Sequence, residues 1–214
     1  MIKIENTEVV GWEHAIRGAR NPMNSWDRSD SHRGSWIEEH TDFVVGENDL
    51  ILMKKLAKAG TDHSKYLRML VVYCDIVAPR YWWCEFDTYK VGTVRNSCST
   101  MHKIHAKEFT LDDFSTEHME SISMESLESV IDGMNYYRLC HIDAKNQNET
   151  AWAKHYWWQM IQLLPQSYNQ RSTVMLNYQV LRNMYHSRKN HKLDEWRTFC
   201  EWIESLPYAE LITE

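Results

Sequence analysis

The sequence predicts an α+β fold in a single domain spanning residues 1–214, and three observations lead there. Segments of β character lie toward the front. Residues 1–8 alternate apolar and polar side chains, and Met69-Leu70-Val71-Val72-Tyr73 is an apolar run rich in strand formers. Long segments with helical spacing fill the second half. No linker, internal repeat or low-complexity tract separates the two, so one core is expected.

Taken in order, residues 1–8 read as a half-buried strand. Residues 10–20 have helical spacing and stop at Asn21-Pro22. Residues 24–46 are polar, with Trp26 and Trp36 set among Ser, Asp, Arg, His and Gly. They read as a long loop ordered against a ligand or a neighbouring subunit. Asn48 is a candidate cap for a helix through Leu50, Ile51, Met53, Lys54 and Leu56, with Gly60 just past its end. Residues 66–77 contain the best strand. Pro79 suits the opening of a short helix over 80–86. The run from Asp87 to Lys103 reads as strand and loop, 104–109 as another strand, and 110–113 as a turn or the start of a helix.

Four further helices follow. Ile122, Leu127, Val130, Ile131, Met134 and Leu139 mark the first, over 121–142. The second, 152–164, is aromatic and stops at Pro165. The third spans 172–188, with Val174, Leu181, Met184 and Tyr185 near one face. Residues 193–206 form a last helix, closed by Pro207.

Composition narrows the function. With 43% hydrophobic and 25% charged residues the chain is globular and long enough for a real core. Ten Trp and eleven Tyr point first to core and subunit interfaces, and second to a surface on which a planar ring stacks. A net charge of −6 supplies no summed basic field, which argues against nucleic acid as a partner. No run approaches the roughly 18 apolar residues of a membrane span, and Met1-Ile2-Lys3-Ile4-Glu5 lacks a signal peptide's apolar stretch. Cys74, Cys84, Cys98, Cys140 and Cys200 are odd in number and form no C-x-x-C pair. Neither a disulfide framework nor a zinc ribbon is expected, and a cytoplasmic location follows.

The chemistry concentrates in the run from Asp87 to Lys103, which is dense in donors, hydroxyls and cations. Lys90, Arg95, His102, Lys103 and His105 make a cationic cluster. On alternating strand positions Lys103 and His105 share one face and His102 takes the other. This is either a phosphate site or a solvated strand face. Ser99 is a candidate hydroxyl for a substrate ring or a turn serine. Cys98 has no visible base and reads as a small apolar residue. His102-x-x-His105 has no carboxylate at ligand spacing, so no metal is expected. Asn177 and Arg188 are eleven residues apart, about three helical turns, and share a face; Asn183 is displaced from it. Trp82-Trp83 and Trp157-Trp158 read as packing.

These residues carry a resemblance. Val77-Ala78-Pro79 followed by aromatics, then Thr88-Tyr89-Lys90-Val91-Gly92-Thr93 and Asn96-Ser97-Cys98-Ser99, resemble the signature Arg-His-Arg-x-x-Ser-x-Asn-x-x-Ser-x-Arg of the flavin-dependent thymidylate synthases, with one inserted residue between Thr93 and Asn96. Asp49-Leu50 through Gly60 and His63-Ser64 is similar to that family's helix and Gly-His-x-Ser-Pro segment. Leu164-Pro165, Asn177, Asn183 and Arg188 fall at the spacing of its C-terminal helix, and Ile4-Glu5-Asn6-Thr7 with Ala19-Arg20 fits its start. The likeness runs in order through most of the chain.

The resemblance implies an antiparallel sheet packed by long helices, a homotetramer, FAD bound between subunits, and transfer of a one-carbon unit from a reduced folate to a pyrimidine nucleotide such as dUMP. It places Ser99 beside the reacting pyrimidine and as the catalytic residue. It gives Lys90, Arg95, Lys103 and Arg188 to the substrate, and His63, Ser64, Thr93, Asn96, Asn177 and Asn183 to the cofactor. The departures are specific. Thr88 and Tyr89 replace the signature's first Arg and His, Met101 its closing Arg, and Gln179 an Arg of the C-terminal helix. Leu67 and Arg68 stand where Glu-His would fall. Lysine does not reproduce arginine's bidentate grip on phosphate. Two functions are therefore expected in competition: a flavin-dependent one-carbon transferase, or a noncatalytic relative that binds another nucleotide or a protein without flavin.

Overall fold

The computed structural model describes residues 2–34 and 43–214. Trp36 and the stretch 35–42 of the long polar loop lie outside the described residues, as does Met1. Four strands, β1 (Lys3–Val10), β2 (Val71–Pro79), β3 (Val94–Ser97) and β4 (Asn169–Asn177), form one antiparallel sheet in the order β1-β2-β4-β3. The helices are α1 (Trp12–Arg20), α2 (Glu47–Lys58), α3 (Arg80–Phe86), α4 (Thr100–Lys103), α5 (Ser121–Asn146), α6 (Thr150–Leu163), α7 (Tyr178–Arg188), α8 (Asp194–Glu204) and α9 (Glu210–Thr213). The expected α+β class is the one observed. Among the described residues no helix is long and apolar enough to cross a membrane.

The central strands bury alternate residues. In β2 these are Val72, Cys74, Ile76 and Ala78; in β4 they are Ser172, Val174 and Leu176. Period-two burial is what a sheet with one covered face requires. On the other face Asp75 accepts from Asn6 Nδ2 at 2.8 Å and from Thr173 Oγ1 at 2.5 Å.

The chain packs as two compact units. One comprises residues 2–3, 77–86 and 96–172, the other 4–34, 43–76, 87–95 and 173–214. In the first unit, α5 presents Leu127, Ile131 and Met134 at i, i+4 and i+7, and α6 presents Ala153 and Met160. Ile104, Phe109, Phe114 and Leu164 close this core. Fully burying each large side chain contributes about 1.5–3 kcal/mol. Trp82 and Trp83 of α3 are buried with Phe86, and Trp83 Nε1 donates to the Gln170 carbonyl at 2.9 Å. These tryptophans pack, as their sequence context suggested.

In the second unit, α8 turns Trp196, Phe199, Cys200 and Ile203 inward and packs on α7. Helix α1 buries Trp12, Ala15 and Ile16, and the Trp12 ring meets Tyr178 edge-on at 5.5 Å. Gly11 makes the turn from β1 into α1 at φ +100, where an added Cβ would lie 2.1 Å from the Met69 carbonyl oxygen. Only glycine tolerates both conditions.

Three sequence expectations are corrected. Residues 104–109 are not a strand. Ile104 follows α4, and the backbone N–H and C=O of Phe109 are both met by the Asn135 amide, each at 2.9 Å. A side chain of α5 thus supplies what a neighbouring strand would have, and the proposed strand faces of His102, Lys103 and His105 do not exist. Residues 172–188 are not one helix. Alternating burial keeps 169–177 extended, and the helix begins only at Tyr178. Finally, Asn48 is not the cap of α2. Gly46 holds the cap position, and the Asp30 carboxylate accepts from the Asn48 and Asp49 amides at 2.8 and 3.1 Å.

Candidate functional site

The proposed site residues divide between the two units. In the first, Asn96 is exposed on β3. Ser99 is exposed and caps α4, its Oγ accepting from the His102 amide at 3.2 Å. Lys103 ends that helix, exposed. The neighbouring Cys98 carbonyl accepts from Gln170 Nε2 at 2.7 Å, and the Cys98 amide donates to the Arg171 carbonyl at 2.9 Å. Ser99 is therefore presented from a backbone tied down on both sides.

The second unit gathers most of the others around α7. Asn177 is the N-cap of this helix: its Oδ1 accepts from the Val180 amide at 3.0 Å, and its Nδ2 donates to the Gly92 carbonyl at 3.4 Å. Gly92 sits at φ +81, and an added Cβ would lie 2.6 Å from that same Nδ2. The turn of the signature run is thereby fixed to the start of the helix. The Thr93 hydroxyl donates to the Tyr89 carbonyl within that turn. Further along α7, Ser64 Oγ donates to Gln179 Oε1 at 3.0 Å, and Gln179 Nε2 donates to Asn183 Oδ1 at 3.2 Å. Ser64 and Gln179 are buried, whereas Asn183 and His63 are exposed. Sequence reading noted Gln179 only as a lost arginine. In the structure it joins two of the proposed cofactor residues.

The cations are held within the chain to different degrees. Arg188 Nε donates to the Tyr89 hydroxyl at 2.9 Å, and its guanidinium carbon lies 4.8 Å from the Trp196 ring centroid. Arg95 pairs with Asp87 at 2.7 Å. Lys90 is exposed. The residue standing at the signature's His, Tyr89, thus orients the arginine assigned to nucleotide.

A second polar cluster lies in the same unit, and its core residues, Arg20 and Asp49, entered the sequence analysis only within the resemblance, with no role. Arg20 and Asp49 are buried, 5% and 1% exposed, with Nε and Oδ1 2.5 Å apart. Asp49 Oδ2 also accepts from the Ser29 and Ser31 hydroxyls, both at 2.6 Å, while Arg20 donates to the carbonyls of Ser25 and Arg28. Burial by itself would raise the Asp49 carboxyl. The hydrogen bonds from Ser29, Ser31 and Arg20 outweigh it and hold the group below the usual aspartate value. This pair fixes the loop after α1, where Arg17, Trp26, His32, Arg33 and Phe43 line a cavity of about 310 Å³. The available signal was the Ser- and Asp-rich stretch directly behind a helix stop. The partner Asp49 stood 29 positions away, beyond the reach of any local pattern.

No family model and no curated protein sequence matches the chain. Solved structures do. Thymidylate synthase X (ThyX) from Helicobacter pylori with FAD and dUMP superimposes with a TM-score of 0.66 at 14% identity, over 100% of this chain and 97% of that one. Another structure of the flavin-dependent thymidylate synthase ThyX from the same organism, complexed with FAD and dUMP, gives 0.65 at 15% identity, over 99% and 97%. At this identity the likeness establishes a shared fold, end to end, and the fold of this chain is that of ThyX.

Proposed function

We propose that the chain, as one domain over 1–214, is a flavin-dependent thymidylate synthase-like protein that transfers a one-carbon unit to a dUMP-like pyrimidine nucleotide. The observation that carries this reading is the end-to-end likeness to structures containing FAD and dUMP. The donor set around α7 suits such ligands. Exposed Asn183 offers an amide that a flavin or pyrimidine edge takes, Asn177 and Gln179, hydrogen-bonded within the chain, hold the helix that presents it, and Arg188 offers a guanidinium for phosphate. His63, Ser64, Thr93 and Asn96 complete the proposed cofactor set. When bound, reduced flavin supplies the reducing equivalents of the transfer. A reduced folate is the proposed one-carbon donor. The chain's own residues bind and orient: Lys90, Arg95, Lys103 and Arg188 hold the nucleotide's anion, and Ser99 donates to the pyrimidine edge. The subunits form a homo-oligomer, a tetramer on the resemblance, in the cytoplasm.

A second reading has its own observation. Arg95 is ion-paired with Asp87, and Arg188 is engaged by Tyr89 and Trp196. Cations satisfied within the chain suit a descendant that binds a different nucleotide or a protein without flavin. Purified protein incubated with FAD separates the two. A flavin band at about 450 nm, with thymidylate formed from dUMP and methylenetetrahydrofolate once dithionite has reduced the flavin, supports the first. A colourless protein that gains no flavin spectrum with FAD supports the second. Binding of neither FAD nor dUMP overturns the first, and uptake of FAD with turnover overturns the second.

A further inference from the structure

Gln179 stands where the resemblance has an arginine, and its neutral amide lies between two other polar side chains of the second unit. Ser64 and Gln179 are 2% and 9% exposed. Ser64 Oγ donates to Gln179 Oε1 at 3.0 Å, and Gln179 Nε2 donates to Asn183 Oδ1 at 3.2 Å. Gln179 and Asn183 are one turn apart on α7, so they share a face. A relay therefore runs from a buried hydroxyl to an exposed amide.

The relay has a direction, and Ser64 sets it. The backbone N–H of Ser64 already donates to the Gly60 carbonyl, and its carbonyl accepts from the Leu67 amide. Its hydroxyl carries one proton, and Gln179 Oε1 is the acceptor that proton meets among the described residues. Turning the Gln179 amide over would aim Nε2 at Ser64 Oγ and leave the hydroxyl proton buried without an acceptor. An unmet buried donor costs more than a typical hydrogen bond contributes. Oε1 is thereby held toward Ser64, and Nε2 toward Asn183.

An exposed asparagine ordinarily offers either end of its amide, since one end donates, the other accepts, and water satisfies both. In this chain Oδ1 of Asn183 is engaged from within. Nδ2 is left as the outward end, with no acceptor among the described residues. A group able to donate or accept has become a donor. An arginine at position 179 would bring a charge to the relay, whereas Gln179 transmits polarity alone.

We propose that Gln179 is a positioning residue: it fixes Asn183 as a donor, so that this point of the site takes a carbonyl oxygen and refuses an amino group. The matching ligand edge is the imide O=C–NH–C=O that a flavin ring and a uracil ring share. The proposal rests on the flavin-dependent reading above and narrows it. A cytosine-type edge, with an amino group in place of one carbonyl, sets donor against donor.

The first measurement needs no ligand. NMR hydrogen exchange in the full chain should find the Asn183 Nδ2 protons exchanging like those of a solvated amide. Protected Nδ2 protons in the wild type would overturn the polarity. In Q179E the new carboxylate, once ionised, accepts from both sides, so Asn183 should swing Nδ2 inward and its exchange should slow at least about tenfold. Unchanged exchange there would overturn the role of Gln179. Calorimetry of N183A, altered at an exposed position, then tests the ligand edge. Either FAD or dUMP should bind about tenfold more weakly, and the one that weakens names the ring. Unchanged affinity for both would overturn the donor role. If the ring is the uracil, dCMP should bind the wild type about tenfold more weakly than dUMP, and equal affinity would overturn the carbonyl assignment. A wild type that binds neither FAD nor dUMP overturns the flavin-dependent reading instead, and the exchange rates still decide the relay.

Discussion

The Nε of Arg188 donates to the hydroxyl of Tyr89 across 99 positions of sequence, and the same guanidinium lies over the Trp196 ring. The arginine that the resemblance assigns to nucleotide is therefore already oriented by the signature run. Its affinity for an anion has to be read against that internal contact.

Y89F removes the acceptor and leaves the ring. A net loss of about 0.5–1.5 kcal/mol in urea unfolding is expected, because one neutral partner of a charged donor is gone. Calorimetry should show dUMP binding as tight or tighter in Y89F, with the guanidinium released toward phosphate. R188A should weaken dUMP by about tenfold or more. Equal dUMP affinity in wild type and R188A would remove Arg188 from the site.

G92A tests the turn that ties the signature run to α7. The new methyl meets Asn177 Nδ2 at 2.6 Å, at a φ of +81 that alanine resists. Destabilisation of about 1–3 kcal/mol is expected in chemical denaturation, with the cap on Val180 loosened. Hydrogen exchange at the Val180 amide reports that loosening directly.

D49N leaves the Arg20 charge buried without its counter-ion. The expected cost is about 3–5 kcal/mol. The acid limb should change as well. Asp49 titrates below its unfolded value of about 3.9, so its contribution is complete above that pH and is lost as pH falls through the folded value. Wild-type stability should fall below about pH 4, and D49N, weaker throughout, should show the shallower decline there. Parallel acid limbs in the two proteins would contradict the assignment.

Thiol labelling reads burial residue by residue. Cys84 and Cys98 are exposed, while burial pushes the Cys74 thiol up to about 12 and Cys200 up to about 11. A disulfide reagent at neutral pH should modify Cys84 and Cys98 first. Cys74 and Cys200 should react only on unfolding, with mass spectrometry of timed digests as the readout.

Local pattern made α1, α3, α5, α6 and α8 legible. Each carries its own stop or its own apolar stripe: Asn21-Pro22 behind α1, Pro165 behind α6, and Trp196, Phe199, Cys200 and Ile203 along α8. Residues 172–177 failed because Val174 lies seven positions before Leu181 and so suits that helix's apolar face as well as a strand, and only pairing within the sheet chooses. Residues 104–109 failed because their backbone partner is a side chain 26 positions away, Asn135.

The sequence by itself determined the α+β class, the aromatic and helical character of the core, and the hydroxyl- and cation-rich run from Asp87 to Lys103. These follow from spacing and composition within a few turns of chain. Tertiary structure alone decided that Asn177 is tied to Gly92, that Ser64 reaches Gln179, that Asp49 holds Arg20, and that His141 keeps a buried nitrogen with no hydrogen-bond partner among the described residues. Each is a contact between residues distant in the chain or a matter of desolvation, and neither leaves a periodic trace in sequence.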